Sequence, residues 1–159
     1  MSTHLSEVLA AVHACESKDY GSAGIDFDSI HIGRLQSLTV YISCGALTGN
    51  STLKVSTGAT EGTKTTDMAF KYRVVGGAFK AASGDIFGDV VSVASSGLSL
   101  VAATFTHKLI AIDIDVDAMT DAQPWVTVSL DATATVLNVS AVAVGKPRQA
   151  SHTQLTVIK

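Results

Sequence analysis

The chain has 159 residues, a formal net charge of −3 and only 16% charged residues, a field too weak and of the wrong sign for a nucleic-acid binder, which needs clustered Lys and Arg against phosphate. Hydrophobic residues make up 47% and aromatics only 6%, so small and β-branched residues dominate, a composition that favours sheets over long packed helices in one domain. No segment approaches the run of about 20 apolar residues that a membrane-crossing helix needs, and the opening "MSTHLSEVLAAVHACESKD" lacks the basic start and continuous apolar run of a secretory leader, so synthesis in a cytoplasm is expected.

"SEVLAAVHACESK" allows either a short helix capped by Ser6 or an extended first element, and the β character of everything downstream favours the extended form. In "GSAGIDFDSIHIG", Ile25, Phe27 and Ile30 face inward and Asp26 and Asp28 outward. "LQSLTVYISC" alternates as a strand, with Leu38, Val40 and Ile42 on one face and Thr39, Tyr41 and Ser43 on the other. "TGN" marks a turn, and "STLKVSTG" follows as a strand, giving a hairpin or a sheet corner. "ATEGTKTTD" is a polar surface loop. "MAFKYRVV" alternates again, Phe70, Tyr72 and Val74 against Lys71 and Arg73, and Gly76 and Gly77 end it. "IFGDVVSVASSG" and "LSLVAATFTHKLIAIDIDVD" supply further strand, with a break near 106–108. "AMTDAQP" is a turn or one helical turn, "WVTVSLD" and "LNVSAVAVG" are strands, "KPRQASH" is a loop, and "TQLTVIK" is a terminal strand or tail.

About eight or nine short strands without a long helix predict an all-β fold: an antiparallel β-sandwich of jelly-roll type with a short N-terminal arm or helix. Residues 1–20 form the arm or first element, 21–148 the sandwich, and 149–159 a C-terminal strand or tail. Polar residues alternate so regularly with apolar ones that one face of each sheet is expected to be wet, which excludes a parallel sheet covered by helices.

The strand period of two places Asp113, Asp115 and Asp117 on one face, with Cβ atoms roughly 6 to 7 Å apart, too widely spaced for all three to chelate one small cation without backbone bending. A Ca²⁺ site from one or two of them with a loop carbonyl is only a minor alternative. A solvent-facing strand end is the expectation, and a subunit contact with basic residues the functional alternative. Lys146 and Arg148 of "GKPRQ" form the densest basic spot and are the natural partners for such a contact. No HExxH, GxSxG, Walker loop or cysteine cluster occurs. His4, His13, His31, His107 and His152 show no metal-ligand spacing, and Cys15 and Cys44 are expected to be reduced, separately buried thiols. Cys44 in "SCG" ends a strand pattern and reads as a core thiol, not a nucleophile. No enzyme, cofactor or metal site is expected.

The last third, "LIAIDIDVDAMTDAQPWVTVSLDATATVLNVSAVAVGKPRQ", resembles a family of small tailed-bacteriophage structural proteins. An "ID" strand (Ile112–Asp113) leads to an acidic turn; an aromatic-led strand (Trp125 to Leu130), an "NVSAVAV" strand (Asn138 to Val144) and a closing Pro147–Arg148 follow. Upstream, "GIDFDSIHIGRLQSLTVYISCGALTGNSTLKV" carries a similar Asp-containing strand and a strand ending in "GALTG". Together these stretches cover about half the chain. Gln149 replaces the aromatic that follows "PR" in the family, and the tail beyond is longer. The resemblance implies a head decoration or cement protein on the virion capsid surface, with a jelly-roll core, no catalytic residues, and the major capsid protein and copies of itself as partners, without nucleic acid or membrane. Contacts through the termini, near 1–19 and 152–159 and including Leu155 and Val157, are expected as well, because the pattern of those segments is ambiguous and poorly anchored. A tail, neck or fibre-attachment part and a carbohydrate- or receptor-binding module are the alternatives.

Overall fold

A computed structural model gives the fold and describes residues 9–75, 86–132 and 136–148. Two antiparallel sheets pack face to face. The larger runs, from edge to edge, β1 (Ala10–Asp19), β12 (Val136–Pro147), β4 (Leu35–Thr48), β10 (Leu109–Ile114), β7 (Phe70–Val74) and β8 (Val91–Val93). The smaller runs β2 (Ile25–Asp26), β11 (Trp125–Leu130), β5 (Asn50–Gly58) and β6 (Thr66–Met68), with β3 (Ile30–His31) also on β11 and β9 (Leu98–Val101) also on β5. Among the described residues no ladder joins one sheet to the other, so the molecule is a β-sandwich whose sheets do not close into a barrel.

Alternation builds the core. Leu38, Val40 and Ile42 of β4 lie in register with Ile114, Ile112 and Ile110 of β10, and Ala141 and Ala143 of β12 flank Ile42 and Val40 on the other side. All are buried, as are Leu53, Val55, Val126, Val128 and Leu130, and one apolar cluster joins the two inner faces. The "TGN" turn is a corner: the chain leaves β4 in one sheet and enters β5 in the other. Gly49 makes the reversal at φ 90°, a conformation that costs a residue without a Cβ least.

The N-terminal segment is a strand from Ala10, not a helix, with Ala10, Ala14 and Cys15 buried and its edge paired to β12. "IFGDVVSVASSG" yields strand only at Val91–Val93, and the break before β10 contains one helical turn, Ala102–Phe105, with His107 at φ 60°. The "KPRQ" segment starts inside β12, which reaches Pro147. The largest departure from the sequence reading concerns the smaller sheet. Its outer face was expected to be wet, yet Ser29, Ser56, Thr127 and Ser129 are all buried. The 59–65 loop folds back over that face: Gly62 N–H donates to Ser29 Oγ at 3.0 Å, and Ser29 Oγ lies 2.7 Å from Thr127 Oγ1. Small hydroxyls accept burial there by pairing, Ser29 with Thr127 and Ser56 with the Asp67 carboxylate at 2.7 Å.

Candidate interaction surface

The three aspartates do not share one strand face. β10 stops at Ile114, so only Asp113 stands on the sheet, where Thr39 Oγ1 donates to its Oδ1 at 2.9 Å from the neighbouring strand β4. Asp115 caps a short 3-10 helix (Val116–Ala118), accepting from the Asp117 backbone N–H at 3.1 Å. The cap breaks the strand because an aspartate side chain offers the chain an alternative to the ladder. Asp117 extends into solvent, its side chain 89% exposed, 3.8 Å from the Arg148 guanidinium.

Arg148 is the element that joins this corner together. Its backbone N–H donates to Arg34 O and its Nε to Leu35 O, both at 2.8 Å, which anchors the end of β12 to the start of β4. The acidic and basic residues singled out in the sequence are therefore brought together within one subunit, at Asp117 and Arg148. An exposed pair at this distance contributes about 0–1 kcal/mol. Lys146 is exposed on β12, opposite Ser37. Leu155 and Val157, like His4 and His152, lie outside the described residues.

Beside the acidic turn runs an open groove of about 450 Å³, floored by Phe70, Val93 and Ile114 and rimmed by Lys71, Asp113 and Asp115. Lys71 and Asp113 are cross-strand partners on β7 and β10, an opposite-charge pairing that suits the sheet register. Each carboxylate thus has a protein neighbour of its own, and among the described residues no group of three His, Cys, Asp or Glu side chains could hold a metal ion.

Several other chemistry-bearing side chains among the described residues serve the fold. Cys15 and Cys44 are buried free thiols. Burial pushes the Cys44 thiol up to about 12, which leaves it a core residue without thiolate character at neutral pH. His31 packs edge-on against Trp125, ring centroids 5.0 Å apart, and accepts the Gly33 N–H at Nδ1. Asp19 accepts the backbone N–H groups of Leu137 and Gly21, bonds that hold its carboxyl below its ordinary value. Asp67 is held down first by the Ser56 hydroxyl at 2.7 Å and then by Lys54 at 3.3 Å.

Sequence reasoning missed one surface. Ile86, Phe87, Val90 and Val91 are exposed together at and before the β8 edge. The signal was present in "IFGDVVSV", a run with one charge, but periodicity alone does not tell a core strand from an open edge.

No family model matches the chain, and no curated protein gives a significant match. Solved structures of infectious bursal disease virus are distantly similar. A chain of the Gx strain is 15% identical with a TM-score of 0.22, the match covering 88% of this chain and 41% of that one. A chain of the Gt strain is 15% identical with a TM-score of 0.13, covering 93% and 42%. This chain therefore spans about two fifths of the length of the chains it matches. At such scores the likeness carries no argument about fold or function.

Proposed function

We propose that this chain is a decoration (cement) protein of a bacteriophage head, bound to the outside of the shell at joints between capsid subunits. The observation that carries the reading is where the resemblance falls on the fold. Ile112–Asp113 lies on β10, Trp125 to Leu130 is β11, and Asn138 to Val144 with Pro147 lies on β12. The loosely spaced motifs are thus three successive strands that cross between the two sheets.

The order of strands supports a jelly roll as the finer architecture. Successive segments alternate between sheets: β1 in the larger, β2 and β3 in the smaller, β4 in the larger, β5 and β9 in the smaller, then β10, β11 and β12 in turn. Two interleaved Greek keys produce this alternation, with β6 to β8 as an insertion between β5 and β9. Jelly rolls host viral shell proteins and lectins alike, so the fold by itself does not choose between them. Against a glycan module, Trp125 is half-buried beside His31 and is not part of an exposed aromatic platform among the described residues.

A cement protein works by adding buried area at joints, and weak single contacts become long-lived when many copies bind one particle. Purified full-length chain mixed with expanded heads lacking it should co-sediment with them and raise the temperature at which they release DNA. Absence of binding to heads, with binding to tails instead, would move the protein to the tail or neck.

A further inference from the structure

We infer that β8 is a self-pairing edge: the chain forms a dimer in which β8 of one copy adds antiparallel to β8 of a second, continuing the larger sheet across a two-fold axis. The inference starts from the sheet edges, because an open edge presents unpaired backbone N–H and C=O groups that soluble proteins blunt. β1 carries two register shifts and ends in exposed Glu16, Ser17, Lys18 and Asp19. β2 and β3 are two residues each, and Asp26 holds Lys64 at 2.7 Å. β6 has three residues, with Asp67 binding Lys54 and Ser56. β9 turns at once into the helical turn Ala102–Phe105.

β8 is as short as β6, but among the described residues its outer side lacks the charged partners that guard β2 and β6. It pairs with β7 on one side, and among the described residues no strand pairs with its other side. No lysine, arginine, proline or bulge interrupts Val91–Val93, where Val91 is 45% exposed, and the chain leading into it is apolar and open: Ile86 is 80% exposed, Val90 45%, and Phe87, its ring 6.5 Å from that of Tyr41, 37%. Val91 and Val93 stand in register with Tyr72 and Phe70, on the core side of the sheet. Val91 is nevertheless half bare, so the sandwich interior is unfinished at this edge.

Charge placement selects the occupant. Asp89 is the one charged residue of 86–96. In an antiparallel pairing centred on Ser92, Val91 meets Val93 of the second copy and Asp89 meets its Ser95. The two Asp89 carboxylates then sit at opposite ends, six residues or about 20 Å apart, well beyond the screening length at physiological salt. The edge is self-complementary without like-charge contact, as a two-fold interface requires.

Sedimentation velocity of the isolated full-length chain over a concentration series tests this without heads, so its outcome is independent of shell binding. A monomer–dimer equilibrium is expected, and Val91→Lys should weaken it by about tenfold or more, since it places a charge in the new ladder. Ser92→Cys should give a disulfide-linked dimer under mild oxidation, because directly opposed residues lie about 4.5–5.5 Å apart at Cα, within disulfide reach. Cys15 and Cys44 are buried and do not contribute. If Val91→Lys fails to fold, Ser92→Cys decides. A monomer at every concentration overturns the inference, as does a dimer that ignores Val91→Lys and gives no Ser92→Cys link. A monomeric chain whose binding to heads is abolished by Val91→Lys also overturns it, and assigns the edge to a shell subunit.

Discussion

The two sheets treat their outer faces differently. On the smaller sheet the chain covers its own surface: the 59–65 loop lies over β5 and β11, Gly62 reaches Ser29, and Thr127 is fully buried. On the larger sheet Thr39, Tyr41, Val142 and Val144 remain partly or largely exposed, and Lys71, Arg73 and Asp113 stand in solvent. Both faces read alike in sequence, as Ser, Thr and Val alternating with core residues. The difference teaches that a hydroxyl at an outward strand position marks a face without saying what lies on it. Ser and Thr accept burial once each hydroxyl finds a partner, whereas Lys, Arg and Asp do not.

The covered face offers the sharpest ways to break this contrast. A Cβ at Gly58 would collide with the backbone and side chain of Thr63, so Gly58→Ala has to push the loop off the sheet. A loss of about 3 kcal/mol in urea unfolding is expected. A loss below about 0.5 kcal/mol would show that the loop lifts freely and is no part of the fold's stability. Next in size, Thr127→Val leaves Ser29 Oγ without its buried neighbour and should cost about 1–3 kcal/mol. The double variant Ser29→Ala with Thr127→Val should cost less than the sum of the two singles, because each hydroxyl is removed after its Ser29–Thr127 partner is already gone and only the Gly62 N–H is left unpaired.

Acid should sharpen the contrast further. Asp67, on the covered sheet, and Asp19, tying the end of β1 to β12, are both held below their ordinary pKa in the folded state. A carboxyl depressed by folding contributes stability above its unfolded pKa and loses it as pH falls through the folded value. Stability should therefore be level from neutral pH to about 4 and decline below it, and Asp67→Asn and Asp19→Asn should each flatten the decline. An unchanged acid slope in both variants would place the acid sensitivity elsewhere. The smallest effects belong to the open face. Asp117→Ala removes an exposed pair 3.8 Å long and should shift stability by no more than about 0.5 kcal/mol.

Truncation bears on the same contrast at the N-terminus. An arm deletion that leaves the fold intact has to stop before Ala10, because Ala10, Ala14 and Cys15 are buried and β1 pairs along β12. Removing 1–19 would expose the β12 edge of the larger sheet.

Period-two alternation was enough to read an all-β chain, the inward faces of β4, β7 and β10, a turn at Gly49 that was either a hairpin or a sheet corner, and two buried free thiols. Those features are local: a strand's face follows from its own residues, and a turn from its own glycine. The pairing of Ser29 with Thr127, 98 residues apart, was not legible, nor was the capture of Arg148 by Arg34, Leu35 and Asp117. The end of β10 at Ile114 was hidden too, because buried and exposed residues keep alternating through Val116 although the backbone has already turned. Sequence alone determined which side chains face inward, since that depends on nearest-neighbour geometry along the chain. Only the tertiary structure decided which outward faces are covered and which edge stands open, since that depends on where distant segments come to rest.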